Sequence, residues 1–246
     1  MKIIDAVWEK RNLGVTCYEL QMEAGDCAED IEKTLETLEE RQYMVARVPS
    51  ARYDLARLCQ NKGYSFIEAA ITLELNINKM NIPRRLLRIC EKCSWEVMDE
   101  TGLEQLSGEI RKNIFQTDRV YLDPAFTKEQ AARRYDLWVG DLVQEGHIPY
   151  KVMLNNEVAG FFLNKSISGT VFDGLLAATY DGYEGSGMGY CIQYAAIMSA
   201  KERGAEKYMG HVSGNNPAIL KVLLSIGFSI KKLEYIFIKH KKENEL

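Results

Sequence analysis

Glu184-Gly185-Ser186-Gly187-Met188-Gly189 is the stretch whose reading decides the fold. Ahead of it runs Val171-Phe172-Asp173-Gly174-Leu175-Leu176-Ala177-Ala178-Thr179-Tyr180, β-branched and apolar as a buried strand is. Behind it runs Tyr190-Cys191-Ile192-Gln193-Tyr194-Ala195-Ala196-Ile197-Met198, with apolar residues at helical spacing and neither Gly nor Pro. Three glycines therefore sit between a strand and a helix. Glycine has no Cβ, so a ligand can approach the backbone closely, and the free N–H groups of a helix N-terminus attract an anion. The physics asks for a phosphate here.

Two common phosphate motifs do not fit. A P-loop ends in Gly-Lys-Ser/Thr, whereas Gly189 is followed by Tyr190. A dinucleotide fingerprint is Gly-x-Gly-x-x-Gly, whereas Gly185 to Gly189 is Gly-x-Gly-x-Gly. A plain strand-to-helix turn is the competing reading, because glycine clusters often mark only a turn.

The order strand, Glu184 to Gly189, helix resembles the coenzyme A pyrophosphate loop of the GNAT N-acetyltransferases, whose usual form is Arg/Gln-x-x-Gly-x-Gly/Ala. Gly187 and Gly189 take the two small positions, and Glu184 stands where Arg or Gln is usual. A second match follows at the family's spacing. Asn216, Ile219 and Gly227-Phe228 fit the C-terminal signature Asn-x-x-Ala-x-x-x-Tyr-x-x-x-Gly-Phe, with Leu223 at its Tyr position. The likeness covers roughly residues 109 to 240. A narrower one is carried by Trp8 with Asn12-Leu13-Gly14, Arg47-Val48-Pro49, Gly63 to Glu68, and Asp118 to Phe126 with Trp138. These look like the bacterial TDP-fucosamine acetyltransferase group, whose members acetylate the 4-amino group of a nucleotide-linked 6-deoxysugar.

The resemblance implies a mixed α/β (α+β) chain: a GNAT acyl-CoA N-acyltransferase fold at 109–246 behind a smaller N-terminal α/β domain at 1–108. It implies acetyl-CoA as donor, its pyrophosphate held by the loop Glu184, Gly185, Ser186, Gly187, Met188 and Gly189. The backbone of Leu176, Ala177, Ala178 and Thr179 would pair with the pantetheine arm, and Asn216 would contact CoA or water. Asn216 could equally cap the helix that begins near Pro217.

Acetyl transfer to an amine also needs a base, a stabilised oxyanion and a proton for the leaving thiolate. Asp173 lies on the strand facing the expected thioester, and His211 on the strand beyond it. A histidine can take an ammonium proton at neutral pH. Each also has a plain structural reading, a bulge beside Gly174 and a hydrogen-bonded core histidine. Leu223 cannot donate a proton, which leaves Tyr235 and Tyr190 as candidates in a chain that is 10% aromatic and therefore rich in core rings.

The remaining sequence sets limits. The 246 residues suffice for one large domain or two ordinary ones, and 46% hydrophobic with 27% charged residues is a globular composition. A net charge of -4 argues against bulk nucleic-acid binding. No apolar run approaches the ~20 residues that span a bilayer, and Met1-Lys2-Ile3-Ile4-Asp5 lacks a signal-peptide core, so a cytoplasmic protein without a membrane partner is expected. Cys90-Glu91-Lys92-Cys93 has no second pair with which to hold zinc, so no metal is expected.

The N-terminal third reads β, α, β, α, β, with strands at 13–22, 43–48 and 66–75 and no evident internal repeat. Residues 76–110 read as a connection carrying Arg84-Arg85-Leu86-Leu87-Arg88, either a solvated cationic face or a site for nucleotide phosphates. Thr127 with Gln130 forms a capping box ahead of a helix ending near Gly146, and Asn155-Asn156 joins two strands in a hairpin. The acceptor is expected to be a small-molecule amine, with a nucleotide-linked amino sugar preferred. An amino acid, a polyamine or a protein amine is the alternative, and a CoA-binding sensor or inactive scaffold is a further one. A homodimer through the last strands or the N-terminal domain would be an ordinary assembly.

Overall fold

The computed structural model describes residues 1–38, 41–183 and 185–241. In chain order the elements are β1 (Lys2–Asp5), α1 (Trp8–Asn12), β2 (Cys17–Gln21), α2 (Ala28–Thr37), β3 (Tyr43–Pro49), α3 (Tyr53–Asn61) and β4 (Ser65–Asn76). After a 3-10 turn at Ile77–Lys79 come α4 (Arg84–Cys90), β5 (Ser94–Val97), α5 (Glu100–Arg111), α6 (Arg119–Leu122) and α7 (Lys128–Gln144). The chain ends with β6 (Pro149–Leu154), β7 (Glu157–Ser168), β8 (Val171–Thr179), α8 (Met188–Glu202), β9 (Lys207–Ser213), α9 (Pro217–Ile226) and β10 (Ser229–His240).

Local chemistry sets many of these boundaries. Thr127 and Gln130 form the expected reciprocal capping box, so α7 starts where the sequence says it should. Asn155 and Asn156 both adopt positive φ, 52° and 69°, which matches the right-handed twist of β6 and β7. The expected strand at 13–22 is shorter, because 8–12 forms α1 and Leu13 closes that helix. The stretch 76–110 carries three elements of its own, α4, β5 and most of α5.

All ten strands join one sheet in the order β1-β2-β3-β10-β4-β9-β8-β7-β6-β5. Side chains alternate between its faces. On β10, Tyr235 and Phe237 pack under α2 and α3, while Ile236 and Ile238 face Val120 of α6 and Ala131 of α7. On β7, Phe162 packs under α8, while Phe161 and Leu163 face α5 and α7. Helices thus cover both faces, and the covered stretches of strand, such as Ala159 to Leu163 on β7, are apolar without alternation for that reason.

The sheet contains a repeat that the sequence hides. In β2-α2-β3-α3-β4 the first two strands are parallel, as they are in β8-α8-β9-α9-β10. Each unit gives its third strand to the other: β10 lies antiparallel between β3 and β4, and β4 lies antiparallel between β9 and β10. Even the helix ends correspond. Gly63 and Gly227 follow α3 and α9 with φ of 80° and 109°, and the next N–H groups close the same turn, Tyr64 to the Cys59 carbonyl at 3.0 Å and Phe228 to that of Leu223 at 3.1 Å. Strands from both sides of residue 108 therefore interleave in one sheet.

Candidate functional site

The two units differ at the place where each could open. β2 and β3 stay paired from Cys17–Tyr43 to Gln21–Arg47, and the Met22 N–H continues to the Arg47 carbonyl at 2.9 Å. β8 and β9 pair only from Val171–Lys207 to Asp173–Met209. Beyond that point β8 keeps β7 on one side, β9 keeps β4 on the other, and the edges facing each other diverge. An unpaired strand edge beside a cleft offers backbone N–H and C=O groups to a bound extended chain.

The opening is the mouth of a cavity of about 690 Å³. Ala177, Ala178 and Thr179 of β8 form one wall, and Asn216, Ala218, Ile219 and Val222 of α9 face them. Gly185, Gly187, Gly189 and Tyr190 close it at the start of α8, and residues 112–117, between α5 and α6, cover it from the far side. Gly185 and Gly187 hold φ of 71° and 88°, a backbone that side-chain-bearing residues rarely adopt. Gly187, the residue before α8, brings no side chain to cap the helix; among the described residues the side-chain partner of its first N–H groups is the Ser186 hydroxyl, 3.3 Å from the Met188 nitrogen, and the helix start faces the glycine loop.

The corresponding loop of the first unit is closed by its own groups. The Asp26 carboxylate accepts the Glu23 N–H at 2.7 Å and pairs with the Met1 ammonium at 2.6 Å. Arg52 donates to the Ala24 and Asp26 carbonyls at 2.8 and 2.7 Å. Of these two corresponding places, the parallel strands part in the second unit and stay paired in the first.

Seven of the residues expected to hold a cofactor line the cavity: Ala177, Ala178, Thr179, Gly185, Gly187, Gly189 and Asn216. Asn216 also caps α9, its side chain accepting the Ile219 N–H at 3.1 Å. Ser186 acts inside the loop, its hydroxyl donating to the Tyr183 carbonyl and accepting the Met188 N–H. Leu176 turns into the apolar layer under α5 and α7, and Met188, 2% exposed, anchors α8 in the core. Glu184 lies outside the described residues.

His211 and Asp173 come together where the strands part. The imidazole Nε2 is 2.7 Å from Asp173 Oδ1, and its Nδ1 is 3.4 Å from the Thr72 hydroxyl on β4. Asp173 is largely buried while His211 is half exposed, so the carboxylate fixes a ring that solvent and a ligand can reach. Tyr235 sits elsewhere. It lies on β10 between Val48 and Ala69, its ring 5.9 Å from Phe66 in the layer under α2 and α3. Tyr190 lines the cavity with its hydroxyl 2.7 Å from that of Ser225 on α9. Leu223 is 3% exposed in the core.

Sequence reasoning missed a polar layer on the same sheet face as His211. The Glu68 carboxylate, on β4, accepts the Arg119 N–H at 3.1 Å; burial, reinforced by nearby Asp118, raises its pKa above the ordinary value. Tyr135 is likewise pushed up by burial and by Asp118. Arg119 is committed inward, pairing with Glu9 at 3.1 Å and Glu19 at 3.9 Å. Glu9 is fully buried and also accepts from Arg134 at 2.9 Å. Burial would raise Glu19, but Arg119 and Arg47 outweigh it and hold that carboxyl low. The partners of Glu68 and Glu9 lie 51 to 125 residues away in sequence, so no local pattern could reveal them.

Among the described residues no group of three His, Cys, Asp or Glu side chains could hold a metal ion, and no helix is long and apolar enough to cross a membrane. No protein-family model matches the sequence, and no curated protein does. Solved structures do match. One is a GCN5-related N-acetyltransferase from Kribbella flavida, 11% identical over 91% of this chain and 81% of that one, with a TM-score of 0.56. An acetyltransferase of the GNAT family from Colwellia psychrerythraea is 14% identical over 91% and 76%, with a TM-score of 0.55. A tandem GNAT protein from the clavulanic acid biosynthesis pathway is 11% identical over 92% and 75%, with a TM-score of 0.58. The chain has the fold of these proteins.

Proposed function

We propose that the chain is an N-acetyltransferase that takes its acetyl group from acetyl-CoA and passes it to a primary amine. One observation carries the reading: β8 and β9 separate after Asp173–Met209, and the gap leads to a helix N-terminus built on glycines. A thioester on an extended arm fits between the two edges with its pyrophosphate at the loop.

In this reading the amine nitrogen attacks the thioester carbonyl, the C–S bond breaks and the thiolate leaves. His211 takes the proton from the amine, directly or through water, with Asp173 orienting the ring. Carboxylates also favour the approach of an ammonium substrate, and Asp173 with Glu68 supplies them on this face. Burial of Leu223 leaves no hydroxyl at that position to protonate the thiolate. Water, or a hydroxyl of the cavity lining such as that of Tyr190, takes the role.

A nucleotide-linked amino sugar is the acceptor favoured here, on the resemblance of the N-terminal region and of Asp118 to Phe126. An amino acid, a polyamine or a protein amine is the competing acceptor class. Thiol release from acetyl-CoA over a panel of amines, nucleotide-linked 4-amino sugars included, tests the proposal. Turnover with one sugar nucleotide supports it in full, and turnover with another amine alone replaces the acceptor. CoA binding without turnover on any amine makes the chain a CoA-binding sensor and refutes the transferase reading.

A further inference from the structure

The helix α4, seven residues between the two units, has no counterpart in the repeat and takes no part in the cavity wall. It runs alongside α8 in the same direction. A Cβ on Gly187 would lie 3.7 Å from Leu86, and the Cys90 thiol lies 3.5 Å from that of Cys191. Both pairs advance four residues together, one turn of each helix. Leu86 and Leu87 pack into the core beneath, and Cys90 is fully buried. With Leu86 level with Gly187, Arg84 and Arg85 stand at the end of α4 that adjoins the start of α8.

Arg84 and Arg85 are exposed, and neither makes an ion pair or hydrogen bond among the described residues. Elsewhere the protein commits arginines to carboxylates: Arg11 to Asp141, Arg47 to Glu234, Arg52 to Asp54, Arg119 to Glu9. Two unpaired guanidiniums at successive positions make this end of α4 locally positive, and an oxyanion within reach of both relieves that charge. A ligand whose pyrophosphate rests on the loop continues as a nucleotide from it, and the first turn of α4 lies beside that loop. In coenzyme A that nucleotide carries a further phosphate, a monoester on the ribose. Guanidinium forks match a phosphate monoester, with two parallel N–H donors from each group.

We infer that Arg84 and Arg85 bind the ribose phosphate of the donor nucleotide and make the site selective for CoA over its 3′-dephospho form. The inference rests on the donor reading above. It also assigns α4 a purpose: Leu86 and Cys90 brace it on α8 so that its first turn stands at a set distance from the loop.

Calorimetric titration of the full chain with CoA and with 3′-dephospho-CoA, native and as Arg84→Gln/Arg85→Gln, tests this. The native protein is expected to bind CoA at least tenfold more tightly than the dephospho form. The double variant should lose that difference by weakening for CoA alone, and the native preference should shrink as salt rises. Equal binding of both ligands by the native protein overturns the inference while leaving the donor reading intact. So does equal weakening of both in the variant. Binding of neither ligand by the native protein removes the donor reading as well. An unchanged CoA preference in the variant, with a raised KM for the amine, would assign the arginines to the acceptor and also refute the inference.

Discussion

His211 stands two residues beyond the last pair joining β8 to β9, and Asp173 belongs to that pair. Their 2.7 Å contact therefore lies where the backbone ladder ends and the cleft begins. If the imidazole carries the amine proton, His211→Ala and Asp173→Asn should each lower kcat by at least about tenfold while the Kd for CoA stays unchanged. Steady-state kinetics with parallel CoA titration checks this, and kcat within twofold of native in both variants would exclude the pair. Glu68 gives a second test. Burial raises its pKa, so its ionisation opposes folding. That cost is absent below the ordinary carboxylate pKa and appears as pH rises through the folded value. Glu68→Gln removes the ionisable group and keeps an acceptor for the Arg119 N–H, so its gain in Tm over native should be larger at pH 8 than at pH 4. An equal difference at both pH values would contradict the buried-carboxylate account. At this scale the sequence showed His211, Asp173 and the glycines, whose chemistry is intrinsic to residue type. It could not show Glu68 or the inward turn of Arg119, which depend on partners brought together by the sheet.

Between strand and helix, glycines carry the geometry. Gly187 holds φ of 88°, where a side chain costs about 1–2 kcal/mol and would also stand in the path of a ligand. Gly174 meets a different constraint. A Cβ there would lie 2.6 Å from the Tyr208 hydroxyl, which is buried and donates to Asn164. Asn164 of β7 in turn donates to the Ala196 carbonyl of α8 at 2.8 Å, so Gly174 makes room for the polar link between β9, β7 and α8. Gly174→Ala should cost about 1–3 kcal/mol by displacing that hydroxyl, read as a lower denaturant midpoint. An unchanged midpoint would mean that Tyr208 moves aside freely. The elements of the second unit were largely legible, because the capping box at Thr127 and the Asn155-Asn156 turn are written locally. β1 and β5 were not. Each has only four residues, too few to show a period.

Across the whole molecule, exchange of third strands is the governing feature. β4 fills the place between β9 and β10, and β10 fills the place between β3 and β4. The repeat escaped the sequence because its two halves share helix-ending glycines and strand pattern but differ in their loops: one closed by Asp26 and Arg52, the other open on glycines. Cutting the chain after residue 108 should leave two fragments with unpaired strand edges that do not unfold cooperatively alone and regain a cooperative transition when mixed. A cooperative transition in fragment 109–246 alone would show that β4 is dispensable to the second unit. The central claim is that only this unit's cleft accepts a CoA thioester, and one calorimetric experiment addresses it most directly. Acetyl-CoA is titrated into the native chain, Gly187→Val and, as a control in the closed loop, Gly25→Val, where no atom lies within 4 Å of an added Cβ. The account predicts saturable one-to-one binding by the native chain and Gly25→Val, and none by a folded Gly187→Val. No binding by the native chain, or equal affinity in all three, would contradict it.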